Sequence, residues 1–167
     1  METKTDKILL RPHIHYNLIL KTDLAKQLSG VTLRLANSLK SLVYEDVYFE
    51  IITGLQQDLE AEKKAVEGQA IKAVTTFPIS LKKQLRVCYP STMLFLKLLT
   101  ELDKVVQQWH DLYFLGNMSG EEFKQKKQEW RRRFRQASLK ANAFSRRNGK
   151  NGANGKKDKV DVRANYI

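Results

Sequence analysis

Between Arg11 and Thr22 the chain reads RPHIHYNLILKT, with apolar and polar residues in alternation. Ile14, Tyr16, Leu18 and Leu20 fall on one face of an extended segment; His13, His15, Asn17, Ile19 and Lys21 fall on the other. This spacing predicts a half-buried strand over about residues 12–21. Most of the chain beyond Thr22 has the helical period instead. Thr22 or Asp23 can cap a short helix, DLAKQL, which Ser29-Gly30 is expected to interrupt. Leu35, Leu39 and Leu42 predict a second helix in VTLRLANSLKSLV. Val47, Ile51, Ile52, Leu55 and Leu59 predict a longer one in EDVYFEIITGLQQDLEAEKKAVEGQ, where Gly54 costs about 1 kcal/mol relative to alanine.

From Val74 to Tyr89 the period shortens again. The segment TTFPISLKKQLRVCYP holds two prolines and alternates at Leu85, Val87 and Tyr89, so it reads as extended chain with room for a two-stranded excursion. Ser91 is expected to cap TMLFLKLLTELDKVVQQWHDLYFLG, a helix apolar on more than one side and closed by Gly116. Ser119 and Glu122 form a capping box for a final helix, FKQKKQEWRRRFRQASLKANAF. Residues 146–167 are rich in glycine, asparagine and lysine and are expected to be a disordered basic tail. The fold class is therefore mainly α: an N-terminal strand plus four to five helices in one domain, residues 1–145.

Composition narrows the setting. The 167 residues include one cysteine, Cys88, so no disulfide can form within the chain. Neither a signal-peptide core nor a run of apolar residues of membrane-spanning length is visible, and a cytoplasmic protein is expected. The net charge of +12 is unevenly spread: +4 over residues 1–44, −2 over 45–120 and +10 over 121–167. Basic ends around a slightly acidic middle favour a polyanionic partner, nucleic acid ahead of a membrane.

That charge gives the first strand a use. A strand cannot stand alone, because its edges leave N–H and C=O groups unpaired. It pairs either with the extended segment at 79–89 or with the same strand of a second molecule; the second option gives a two-stranded antiparallel ribbon, which fits the DNA major groove. On the polar face Asn17 suits adenine, His13 and His15 can donate or accept, Lys21 suits guanine, and Ile19 can touch a thymine methyl. Arg11 can contact phosphate. The plainer reading is an edge strand with one wet face.

The densest cationic cluster is WRRRFRQ, Trp130–Gln136. On a helix Arg131 shares a face with Lys127 and Arg135. Trp130, Phe134 and Phe144 can dock the helix while Arg131, Arg132 and Arg135 meet phosphates; the two roles use different faces. Arg146, Arg147, Lys150, Lys156 and Lys157 would add a non-specific attraction. Catalysis finds no support. No nucleotide-binding, nucleophile-elbow or zinc-protease motif occurs, and nothing holds Cys88, expected as a small buried thiol, near His110. His13 and His15 could start a metal site, but no further ligands stand out; no metal or cofactor is expected.

Several stretches together resemble the AcaB-like transcriptional regulators of conjugative plasmids and integrating conjugative elements. They are ILLRPHIHYNLILKTDLAKQL, LQQDLEAEKKAVEG, FPISLKKQLRVCYPSTMLFLKLLTELDKVV and YFLGNMSGEEF, within roughly residues 8–125. The resemblance implies an extended ribbon-helix-helix fold, a homodimer on double-stranded DNA, and control of transfer or maintenance genes, with other transfer regulators as further partners. It maps the ribbon onto His13–Lys21 and sets a helix N-terminus near Gly30-Val31-Thr32 against phosphate, with Thr32 as a contact. DLAKQL is short for the first helix of such a fold. Either it continues through Gly30, or the pair is 31–43 and 45–67. The alternative function is a structural or adaptor protein of a conjugation apparatus, whose strand augments a partner's sheet. An RNA-binding role ranks below both, for want of an aromatic stacking surface.

Overall fold

The helix with the most apolar surface organises the molecule. In the computed structural model, which describes residues 12–38, 45–69 and 73–154, that helix is α3, Pro90–Phe114. Phe95, Leu96, Leu99, Leu102, Val106 and Trp109 are fully buried on it. So broad an apolar surface needs cover on several sides. The cover comes from β1 (Ile14–Leu20), α1 (Asp23–Ser38), α2 (Glu45–Glu67), β2 (Leu81–Val87) and α4 (Gly120–Asn154). The described residues are thus mainly helical, with one two-stranded antiparallel sheet.

Local chemistry sets the ends of α3 and α4. Pro90 occupies the first turn of α3, where its missing N–H costs nothing. The residue ahead of it is Tyr89, not the expected Ser91 cap; the backbone carbonyl of Ser91 instead accepts the Tyr48 hydroxyl. Burial drives the Tyr48 phenol far above its ordinary pKa, so it remains a donor. Gly116 adopts φ +76°, and the amide of Asn117 reaches back to Leu112 O at 2.8 Å, closing α3 as the sequence suggested. The amide of Glu122 donates to Ser119 Oγ at 3.1 Å, opening α4.

Three further expectations change. The first concerns α1, a single helix running through Ser29 and Gly30, where a break was expected. Leu24, Leu28 and Leu35 are buried along it at helical spacing, and that burial outweighs the roughly 1 kcal/mol propensity cost of glycine. Ser29 and Thr32 satisfy their hydroxyls on the carbonyls of Lys26 and Leu28, at 2.7 and 2.8 Å. Thr32 is wholly buried in mid-helix, so there is no helix start near Gly30-Val31-Thr32 and no exposed Thr32 to meet a phosphate. The second concerns α4, which continues to Asn154, past the expected boundary at Ser145. Once a helix exists, each further residue adds one hydrogen bond, and this carries the backbone through residues that would not start a helix. Third, Cys88 is half-buried, not enclosed.

Trp130, Phe134, Ala137 and Ala141 form the buried stripe of α4, while Phe144 is only half-buried. Lys126, Arg133 and Lys140 of α4 meet Glu62, Asp58 and Glu50 of α2 at 2.7, 3.3 and 2.8 Å. As numbers rise along one helix they fall along the other, so the two run antiparallel.

Candidate nucleic-acid interface

β1 pairs antiparallel with β2 of the same chain: Ile14 faces Val87, Tyr16 faces Leu85, Leu18 faces Lys83 and Leu20 faces Leu81. Of the two pairings open to the strand, the one with the later extended segment forms. Residues directly opposite share a face. Leu18 and Leu20 are fully buried, and the Tyr16 hydroxyl lies 3.1 Å from Thr100 Oγ1. Ile14, on the same face, is 55% exposed at the ribbon's far end.

The outer face is built from the alternate positions. His15 stands opposite Arg86, Asn17 opposite Gln84 and Ile19 opposite Lys82. His15, Asn17, Ile19, Lys82 and Gln84 are exposed, and Arg86 is half-buried. Neither strand contains a carboxylate. Arg86 Nη2 lies 2.9 Å from His13 Nδ1; because a guanidinium can only donate, Nδ1 is the acceptor and the imidazole is fixed in one tautomer. The His13 and His15 rings meet edge to face, 5.1 Å apart. No group of three or more potential metal ligands surrounds them or any other point among the described residues.

The foot of the ribbon is clamped. Asp103, buried on α3, accepts from the amides of Lys21 and Thr22 at 3.0 and 2.9 Å, from the Thr22 hydroxyl at 2.7 Å and from Gln107 Nε2 at 3.0 Å. The Thr22 hydroxyl in turn accepts the Ala25 amide at 3.4 Å, capping α1. One carboxylate thus fixes the angle between strand and helix. Ahead of β2, Asp111 accepts the amides of Val74 and Thr75 at 3.0 and 2.8 Å, strapping that segment across α3. Burial pushes the Asp111 carboxyl up, but the Thr75 side chain and these two amides outweigh it and hold it below its usual range. Next to it His110 sits edge-on between Phe77 and Phe123, its centroid 5.3 and 4.7 Å from theirs. Burial, aided by Lys127, lowers its pKa below the ordinary 6.5 against the pull of Asp23, Asp111 and Asp103.

The structure thus places His13, His15, Asn17, Ile19 and Lys21 together along one exposed edge, with Lys21 held by its own backbone at the strand's end. Arg11 lies outside the described residues. Arg131 and Arg135 share a face as expected, but they open onto a groove between α1 and α4, where Arg131 Nε and Nη2 donate to Gln27 Oε1 at 3.2 and 3.0 Å. Arg132 is paired with Glu129 at 3.4 Å. Lys82, Gln84 and Arg86 were missed from the sequence as site residues. The signal was present: if Leu85 and Val87 face inward, their neighbours must face out.

The architecture is a mainly helical domain that carries a two-stranded antiparallel ribbon clamped against its central helix. Among solved structures it is similar to AcaB from uropathogenic E. coli, with a TM-score of 0.71 over 88% of this chain and 90% of that one, at 17% identity. The fold is AcaB-like. No protein-family model and no curated protein matches the sequence.

Proposed function

We propose that the protein is a sequence-specific DNA-binding transcriptional regulator that inserts the outer face of its ribbon into the major groove. The observation that carries this is the face itself: His15, Asn17, Ile19, Lys82, Gln84 and Arg86 in register, with no carboxylate among them. Arg86 suits guanine, and Asn17 and Gln84 suit adenine. Lys21, at the end of the same face, can hold a flanking phosphate. A ribbon of two strands has the width the groove admits, so one chain supplies a complete reading element. This revises the expected ribbon, in which each of two subunits gave one strand. As a homodimer the protein would carry two ribbons into half-sites spaced by whole helical turns, about 10 base pairs or a multiple. Arg131 and Arg135 belong to the α1–α4 groove, and DNA reading does not need them. The family resemblance adds the genes: transfer or maintenance functions of a mobile element.

A gel shift against DNA from upstream of the protein's own gene, with scrambled competitor, tests this. A discrete complex that survives competitor in the wild type and is lost in Gln84→Ala/Arg86→Ala supports the reading. One further observation favours the adaptor alternative. The second edge of β1 has no strand partner among the described residues, and could augment another protein's sheet.

A further inference from the structure

The groove between α1 and α4 has the make-up of a ligand site. Its volume is about 820 Å³, within the range of small-molecule sites. Leu28 and Leu35, both buried, form its floor with Val31, while Arg34, Arg131 and Arg135 line it and, among the described residues, no carboxylate does. The contrast with the opposite side of α4 is informative. There each basic residue that faces α2 meets an acid: Glu62, Asp58 or Glu50. Toward α1, Arg131 donates to the neutral amide oxygen of Gln27, which leaves its charge uncancelled, and Arg135 forms no ion pair among the described residues.

We propose that this groove binds an amphipathic organic anion: an alkyl or aryl body lying on Leu28, Val31 and Leu35, with a carboxylate or phosphate between Arg131 and Arg135. Leucine and valine offer the body nothing but apolar contact, and water is displaced from them on binding. Two guanidiniums one helical turn apart can bind the head by charge-assisted hydrogen bonds. A purely apolar ligand would leave the arginines unused, and a bare phosphate would leave the floor wet. The groove abuts α1, the helix that Asp103 and Thr22 join to the ribbon, so its occupant can reach the reading element through one rigid helix. The proposal stands whether or not the ribbon binds DNA.

The test is calorimetry of the full chain with dodecanoate below its micelle concentration, beside dodecyltrimethylammonium and dodecyl maltoside as cationic and neutral probes of the same chain length. One-to-one binding of dodecanoate is expected, at least roughly ten-fold tighter than either control and weakened at least roughly ten-fold in Arg131→Gln/Arg135→Gln. Both arginines are exposed or nearly so, and this variant should melt like the wild type. Val31→Trp, which fills the groove, should abolish binding. Equal binding of all three probes, no binding at all, or wild-type affinity in the glutamine variant overturns the proposal. So does displacement of dodecanoate by duplex DNA of any sequence together with lost DNA affinity in the glutamine variant, because the arginines would then be phosphate contacts.

Discussion

The outer face of the ribbon and the α2-facing flank of α4 are both rich in basic residues, and they differ in what stands opposite. On the flank, Lys126, Arg133 and Lys140 each meet a carboxylate of α2, and Arg133 also lies over the Trp130 ring at 5.0 Å. On the ribbon, Lys82 and Arg86 stand among His15, Asn17 and Gln84, with no acid in either strand. The first arrangement is a seam that aligns two antiparallel helices. The second presents donors and acceptors outward, from strands that contain no acid. Three basic residues of α4 are therefore answered by acids of α2, while the ribbon's own strands supply no acid.

The largest expected effect comes from undoing the clamp that aims the ribbon. Asp103→Ala leaves two amides, a hydroxyl and a glutamine amide without their acceptor, and buried donors stripped in this way cost about 3 kcal/mol or more together. A thermal melt should fall by several degrees, with loss of DNA binding. A melt unchanged from wild type would show that the ribbon is held by its apolar face alone.

Next in size is the reading face. Arg86→Ala and Gln84→Ala should each cost about 1–3 kcal/mol of discrimination at one base pair and leave non-specific binding nearly intact. Competition between matched and mutated duplexes measures this. Uniform weakening on every sequence would move both residues to the phosphate class. Arg131→Gln/Arg135→Gln should leave the preference between those duplexes unchanged.

The seam should matter less. Lys126 and Glu62 are only partly exposed, yet a single pair of this kind contributes about 1 kcal/mol or less. Lys126→Glu should lower the midpoint of urea unfolding slightly, and adding Glu62→Lys should restore it. Failure of the double exchange to recover would mean that the cation's position over Trp109, at 5.4 Å, counts for more than its ion pair.

The smallest effect is a dependence on pH. His110 has a depressed pKa in the fold, so below 6.5 the unfolded chain takes up a proton that the folded one resists. Stability should therefore fall as pH drops from 6.5 toward the folded pKa, and His110→Gln should flatten that stretch of the curve. The carboxylates act in a separate, lower window. Glu101, lowered chiefly by its bond from Lys104, and Asp111 lose their contributions only as pH falls below their ordinary 4.5 and 3.8. A slope just below 6.5 that persists in the variant would point to another group.

Much of this arrangement is legible in the residues. The alternation of Ile14 to Lys21 marks both the strand and its exposed side, and the broad apolar surface of α3 and the Gly116 stop follow from spacing. Two kinds of information are not local. Whether Ser29-Gly30 breaks a helix depends on how much Leu24, Leu28 and Leu35 bury against other elements, and that burial belongs to the whole fold. Thr32 is misplaced by local signals for the same reason, since they turn a helix interior into a helix start. The register of β1 on β2 is set across sixty residues of intervening sequence, so Lys82, Gln84 and Arg86 can be seen to alternate but not to stand beside Ile19, Asn17 and His15. Spacing puts Arg131 and Arg135 on one face; what that face looks onto is invisible until α1 lies beside it.

The most direct measurement of the central claim is a gel shift at physiological salt on the DNA upstream of the protein's own gene, with scrambled competitor, comparing the wild type with Gln84→Ala/Arg86→Ala. A discrete, competitor-resistant complex in the wild type alone, with both proteins melting alike, is the predicted result. No resistant complex in the wild type, or the same complex in both, would contradict the ribbon as the element that reads DNA.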